Sequence, residues 1–363
     1  MKRILFTVSN DIRHDRRMIR ICSALQHAGY QVTLVGRQYP DSPALPEYPF
    51  KAHRLSFWFR SGKLFYLEMQ LRYLFYLWRQ PAEAQCAIDL DTILPIVISG
   101  RMKRRRLIFD AHEFFTEVPE LTGRPISRAI WERIERWSVP YMDLIYTVGP
   151  ALADVLAKRY ERPVHVIRNL PDRQVEGEQW PARDRQIIWY QGALNQGRGL
   201  EVAIRVLARL PGYQLWIAGE GDLSEELRHL ANSCGVHQQV RFLGWVPPAE
   251  LSKWAVQASI GINLLSDDSL SYYYSLANKW FDYTYARLPA IHMAFPEYAR
   301  LNEQYPVGVL IDQLDEDHLI QGIQALTDPE TYRSCQAGCV VHARELTWER
   351  EVSELLQRYA SLF

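Results

Sequence analysis

Short β-branched or apolar runs separated by helical stretches recur along the chain, and this alternation constrains its fold more than any single motif does. Residues 3–8, 31–36, 85–90, 106–110 and 144–148 read as strands, and 163–167 adds another before Asn169-Leu170-Pro171 ends it. Strands that alternate with helices call for a parallel sheet covered on both faces. Met18, Ile21, Cys22 and Leu25 share one helical face, with Gly29 just past its end. Pro125 opens another helix whose stripe is Ile126, Ile130, Ile134 and Trp137. A second series follows, with strands at 187–191, 214–218, 240–243, 260–264 and 289–291 and helices near 199–209, 223–233 and 277–286. Residues 172–186, between the series, are polar and have no period. We therefore expect an α/β chain of two Rossmann-like domains, 1–171 and 187–345, joined by a linker over 172–186. An amphipathic helix over 346–363 should follow, with Trp348, Val352, Leu355, Leu356 and Tyr359 on one face and a packing partner the sequence does not name.

The 363 residues are enough for two cores. Apolar runs such as Ile93–Ile98 fall far short of the roughly 20 residues of a membrane-spanning helix. The N-terminus reads as a first strand, because Asn10, Asp11 and Arg13 interrupt it before a secretion signal could form. Five scattered cysteines fit a reducing, cytoplasmic setting; Cys335 and Cys339, with only His342 near, are too few for a metal site. Charge is balanced overall, 42 basic against 42 acidic, but not along the chain. Residues 1–171 hold 26 Lys and Arg against 17 Asp and Glu, a net of +9, and residues 172–363 hold 16 against 25, a net of −9.

A dinucleotide oxidoreductase is the first function such folds suggest, and the loop after the first strand argues against it. Residues 9–17 contain no glycine, so the backbone cannot approach a pyrophosphate there. Gly219-Glu220-Gly221-Asp222 offers only part of the fingerprint, and no Walker motif is present. The glycine-rich turn that exists is Gly192-Ala193-Leu194-Asn195-Gln196-Gly197-Arg198-Gly199, an Arg between two glycines at the mouth of a helix. Free backbone N–H groups, a helix dipole and a guanidinium there suit a diphosphate, although an Arg merely capping a turn has the same pattern. A second anion-suited element is Ser275-Leu276-Ala277-Asn278-Lys279, with Ser275 as expected N-cap, Lys279 one turn in and Asp282 two turns along. Lys279 could meet phosphates and Asp282 ribose hydroxyls, or the two could form a plain surface pair at i,i+3.

Together these stretches resemble the retaining glycosyltransferases of the large family-four type, whose GT-B fold sets two Rossmann-like domains across a central cleft. The resemblance rests on NDIRHDRRMIR, on Asp89-Leu90-Asp91 and on Asp110-Ala111-His112-Glu113 in the first half. In the second it rests on YQGALNQGRGLE, IAGEGD, VRFLGWVPPAEL and YYYSLANKWFDYTYARLPAI. It implies that Gly192, Gly197, Arg198, Tyr274, Ser275, Leu276, Ala277, Asn278 and Lys279 bind the donor, with Arg198 and Lys279 stabilising the leaving diphosphate without a metal or other cofactor. It also implies that Asp282 binds the ribose, that Trp245 and Val246 line the base, and that His112, Glu113, Asp15 and Arg16 face the acceptor side, with His112 near the transferred sugar. A neutral interior histidine is the plainer reading of His112. The chain departs from the family pattern at Tyr274 and Asp282, where Glu-x7-Glu is common, and at Ala193, where many members carry Arg.

The basic half carries a further feature. Phe57–Tyr66, continuing to Leu77-Trp78-Arg79, interleaves aromatics with Arg and Lys, and Arg101–Arg106 forms a basic run downstream. This suits a helix at an anionic inner-membrane surface, or a buried helix with a solvated basic rim; the acidic second half argues against nucleic acid. The expectation is a cytoplasmic, membrane-peripheral hexosyltransferase that moves a sugar from a nucleotide diphosphate-sugar to a glycan or lipid-linked acceptor. A nucleotide-sugar epimerase and a non-catalytic nucleotide-sugar-binding partner remain the alternatives.

Overall fold

Every adjacent strand pair runs parallel, so each connection must cross a sheet face and lay structure over it. The computed structural model describes residues 1–171 and 186–363; the expected linker, apart from Gln186, lies outside the described residues. The chain divides into two units, one formed by Met1–Asn169 with Glu349–Phe363 and the other by Leu170–Trp348.

The first unit is built on β1 (Arg3–Thr7), β2 (Gln31–Gln38), β3 (Lys51–Ser56), β4 (Ala84–Ile88), β5 (Arg106–Asp110), β6 (Leu144–Thr147) and β7 (His165–Val166). Their order is β3-β2-β1-β4-β5-β6-β7. Right-handed crossovers place the helices Gly62–Arg79, Ile93–Lys103, Pro125–Ser138 and Pro150–Tyr160 on one face and Arg16–His27 on the other. β4 shows both faces: Ser99 Oγ donates to Gln85 Oε1 at 2.7 Å on one, while Cys86 Sγ lies 3.8 Å from Tyr146 Oη on the other. The helix Trp348–Ala360 covers that second face. Its Tyr359, fully buried, stacks 6.3 Å from Phe6 and bonds Tyr146 Oη at 3.1 Å, and Glu351 accepts the backbone N–H of Arg168 at 2.6 Å.

The second unit is built on β8 (Ile187–Gln191), β9 (Gln214–Ala218), β10 (Val240–Gly244), β11 (Ile260–Asn263), β12 (Ala290–Met293) and β13 (Gly308–Ile311), in the order β10-β9-β8-β11-β12-β13. One side of its core joins Trp189, Trp216, Tyr283 and Leu288, with Val246 and Trp254 packed at the margin.

Three local features differ from expectation. The edge strands β3 and β13 are unanticipated: β3 alternates between polar and half-buried residues, and β13 has only four residues. The helix Pro125–Ser138 is inverted. Its buried positions are Glu135 and Ser138, with Glu135 satisfied by Arg159 at 2.6 Å and Tyr160 at 2.7 Å, whereas Ile126, Ile130 and Trp137 are exposed. Ser275 does not cap the helix expected near 277–286, which runs Asn278–Tyr285 from Ala277. Its hydroxyl is committed to Tyr272 O at 2.8 Å, and the Ala277 N–H donates to Tyr298 Oη at 3.0 Å. Lys279 is therefore the second helical residue, and Asp282 lies one turn beyond the helix start.

Replacing Tyr359 by Ala should destabilise the first unit by about 3–5 kcal/mol, while Tyr359→Phe, which loses only the hydroxyl pair, should cost about 1 kcal/mol. Denaturant unfolding with hydrogen exchange read on β1 and β6 checks this; unchanged protection in Tyr359→Ala would exclude the helix from that core.

Candidate functional site

In parallel sheets the loops that leave the C-terminal strand ends are free to carry side chains and open backbone toward a ligand. In the second unit three glycines occupy adjacent ends. Gly192 follows β8 at φ +136°, Gly219 follows β9 at +144° and Gly244 ends β10 at +66°. A side chain on Gly219 would bring its Cβ to 1.9 Å from the Gly192 carbonyl oxygen, and one on Gly221 would press on Leu194 N–H at 2.6 Å. The GEGD stretch thus serves close backbone packing and holds the 192–195 turn in place. Gly197, at φ +77°, packs against Ser266 and Tyr272 in the same way, and the Ser266 N–H donates to Gly197 O at 3.0 Å.

This packing fixes two cations. Arg198 lies over the Tyr272 ring, 4.7 Å from its centroid, and its buried Nε has no hydrogen-bond partner. Lys279 is buried with Nζ 5.0 Å from the Tyr190 ring centroid and 3.7 Å from where a Gly192 Cβ would stand. Burial foremost, then the neighbouring Arg198 guanidinium, push the Lys279 ammonium down to about 7, against a smaller opposing pull from Asp282. Asp282 Oδ2 is held by Gln191 Nε2 at 2.7 Å, and Gln191 Oε1 accepts Trp189 Nε1–H at 3.0 Å. Arg198, Lys279 and the Gly192 turn thereby lie together, with the Asp282 carboxylate tied to a glutamine, an arrangement that can take a multiply charged anion.

The other residues of the expected donor set are distributed around this point. Leu276 is buried, Ala277 opens the helix and Asn278 is exposed at its first turn. Tyr274 closes the turn Leu270–Tyr273 and meets the Tyr273 ring edge-on at 5.1 Å. After β10 the pair divides: Trp245 is 66% exposed, whereas Val246 packs against the core.

In the first unit a titratable cluster gathers at the ends of β4 and β5. Arg17 is buried; Nε and Nη2 donate to Asp110 at 2.9 Å each and Nη1 donates to Ile167 O at 2.8 Å. Next to it His112 Nε2 meets Asp89 Oδ2 at 3.1 Å. Asp89 is a non-glycine residue at φ +56°, an uncommon and strained backbone state, and its Oδ1 has no partner. Burial, then Glu113 and Asp91, hold the Asp89 carboxyl up, while burial and Arg17 hold the His112 imidazole down. Both shifts favour the uncharged form of the group. Burial also raises Asp91 to about 6. Asp15 caps the helix Arg16–His27 by accepting Met18 N–H at 3.0 Å, and Arg16 is exposed at its first position. The expected residues thus collect into two sets, Gly192, Arg198, Lys279 and Asp282 in the second unit and His112 with Glu113 in the first. Among the described residues no group of three His, Cys, Asp or Glu is placed to hold a metal ion.

Tyr190, Gln191, Tyr272 and Tyr298 in the second unit, and Arg17 in the first, are parts of the arrangement that motif reading missed. Gln191 had a visible signal, a polar residue at the end of an otherwise apolar strand just before Gly192. Arg17 had none, since a run of Arg and Asp does not tell which guanidinium turns inward.

Comparison with known proteins gives the family and the fold. Residues 15–174 match the model of Glycosyltransferase Family 4, and residues 172–337 match that of Glycosyl transferases group 1. The lipopolysaccharide core biosynthesis glycosyltransferase LpsE of Rhizobium meliloti (strain 1021) is 37% identical over 62 residues, a match spanning 17% of this chain and 18% of that protein. Among solved structures, sucrose-phosphate synthase from Thermosynechococcus elongatus superposes with a TM-score of 0.80 at 16% identity, over 100% of this chain and 99% of the other. Anabaena HepE in complex with UDP and glucose superposes at 0.79 and 13% identity, over 99% and 100%. The shared architecture is GT-B, and the chain belongs to the family 4 and group 1 glycosyltransferases.

Proposed function

We propose that this chain transfers a sugar from a nucleoside diphosphate-sugar to a glycan or lipid-linked acceptor, with retention and without a metal, at the cytoplasmic face of the inner membrane. The observation that carries the reading is the meeting of Arg198 and Lys279 beside Gly192, where burial and the Arg198 charge outweigh the pull of Asp282 on the Lys279 ammonium. Cleavage of the donor moves charge onto the diphosphate, and cations already in place there stabilise that state more than the ground state. Asp282, oriented by Gln191, is the acceptor for ribose hydroxyls. A nucleoside diphosphate and a sugar are what Anabaena HepE holds, and lipopolysaccharide core synthesis is what LpsE is named for; both support the donor and acceptor classes. In the first unit His112, held by Asp89, is the group offered to the transferred sugar. No protein base is assigned, because a departing phosphate can itself take the acceptor proton.

Calorimetry with UDP, GDP, dTDP and ADP, without added metal, tests the site. One diphosphate should bind selectively, and Arg198→Ala and Lys279→Ala should each weaken it about 10- to 100-fold, the worth of a lost charge-assisted contact. Unchanged binding in both variants would overturn the assignment, and binding without transfer to any acceptor would make the chain a non-catalytic binder.

A pH dependence follows from Lys279. Its folded pKa lies near 7, below the ordinary 10.5, and a bound diphosphate raises it again. Affinity should therefore be full below pH 7 and fall as pH rises above it, with proton uptake on binding at alkaline pH. In Lys279→Arg, which stays charged, this fall should disappear; the same slope in wild type and variant would assign the titration to another group.

A further inference from the structure

The helix Gly62–Arg79 is apolar on two opposite faces. Phe65, Met69, Tyr73 and Leu77 are buried against the first unit's core. Leu64, Leu67, Leu71, Phe75 and Trp78 form a second stripe, and the first four are each more than half exposed. At about 100° per residue the outer stripe spans a narrow sector centred about 180° from the buried one. Lys63 flanks it on one side and Arg72 and Arg79 on the other. The helix's single acid, Glu68, is neutralised by Arg72 at 2.7 Å and by the N–H groups of Trp58 and Phe59, each at 3.0 Å.

The stripe continues across the sheet face. Right-handed crossovers put the helices Ile93–Lys103 and Pro125–Ser138 beside it, where Met102, Ile126 and Ile130 are also more than half exposed. Between these two helices runs an open groove of about 620 Å³ lined by Leu94, Ile126, Ile130, Ile134 and Trp137, with Arg133 at its rim. The inverted helix Pro125–Ser138 belongs to this surface, since its polar side is turned inward and its isoleucines outward.

Charge follows the same three helices. Residues 62–79, 93–106 and 124–138 contain 12 Lys and Arg against 3 Asp and Glu, a net of +9, equal to the whole excess of residues 1–171. Some of these cations are engaged, Arg105 with Leu77 O and Gln80 O, and Arg128 with Glu117 and Glu132. Arg101, Lys103, Arg104, Arg124 and Arg136 are exposed. A patch this apolar is uncommon on a solvated face, and its interleaved cations fit a partner that is apolar in depth and anionic at its surface.

We propose that this three-helix face docks the protein in-plane on an anionic lipid bilayer. Leu64, Leu67, Leu71 and Phe75 enter the acyl boundary, the groove seats a lipid chain, and the flanking Arg and Lys meet headgroup phosphates. The proposal deepens the membrane location given above and is independent of the donor reading.

Co-sedimentation of the full chain with vesicles of phosphatidylcholine, alone or mixed with phosphatidylglycerol, tests it. The protein should bind the mixed vesicles selectively and be released by salt. The triple variants Leu67→Ser/Leu71→Ser/Phe75→Ser and Arg101→Glu/Lys103→Glu/Arg104→Glu should each lose about tenfold or more in vesicle affinity. Both should keep nucleoside diphosphate binding, which separates failure of this proposal from failure of the donor site. Equal binding by wild type and both variants, or none by wild type to the mixed vesicles, would overturn the proposal. So would a dimer by light scattering that the serine variant dissolves, because a second copy would then cover the stripe. As a test that leaves the stripe almost intact, a dye on Leu71→Cys in a Cys234→Ser background should shift to the blue on adding mixed vesicles, and unchanged emission would exclude insertion.

Discussion

A parallel strand cannot be entered from its neighbour by a tight turn; the chain has to cross a face of the sheet first, and both faces must end up covered. In the first unit the order β3-β2-β1-β4-β5-β6-β7 sends four crossover helices to one face and only Arg16–His27 to the other. The deficit lies over β1, β4 and β6, and the helix Trp348–Ala360 fills it, with Tyr359 between Phe6 and Tyr146. The crowded face has the opposite surplus. Four helices lie over it, and the outer sides of three of them expose apolar residues such as Leu71, Met102 and Ile126.

The same connectivity gathers every strand exit at one edge of each sheet, and there the two units use different physics. The first keeps its charges in compensation: Arg17 and Asp110 form a buried bidentate pair, and Asp89 meets His112 Nε2 at 3.1 Å. The second leaves charge partly uncompensated, because burial foremost and then the Arg198 guanidinium make the Lys279 ammonium lose its proton more easily, and Asp282 offsets only part of this. A compensated site tolerates neutral ligands, whereas an uncompensated one gains energy by admitting an anion.

Much of this was legible in the residues. Alternation of strand and helix is a statement about period and needed only counting, and the turn at Gly192–Gly199 announced itself because its glycines stand where the backbone takes positive φ. Less could be read where one residue type serves two ends. Ser275 looks like a cap until Tyr298 supplies the oxygen that Ala277 N–H needs, and that tyrosine is distant in sequence. The stripe Ile126, Ile130, Ile134 and Trp137 has helical spacing, but spacing does not say which side faces in; Arg159 and Tyr160, by satisfying Glu135, decide it. The two cations Arg198 and Lys279 were readable from their neighbours in the chain, whereas Arg17 and the Gln191 clasp on Asp282 depend on pairings across the sheets.

The first unit is closed by a distant piece of the chain. Its core draws on residues before 170 and after 348, so the ribosome must deliver the whole second unit before the first can be closed. During that interval one face of the first sheet lacks its second helix, and Phe6 and Tyr146 lack the aromatic partner that buries them. The second unit is continuous in the chain and has no such wait. The order of completion is then the reverse of the order of synthesis, and a nascent-chain chaperone would find its binding surface on the half that is made first.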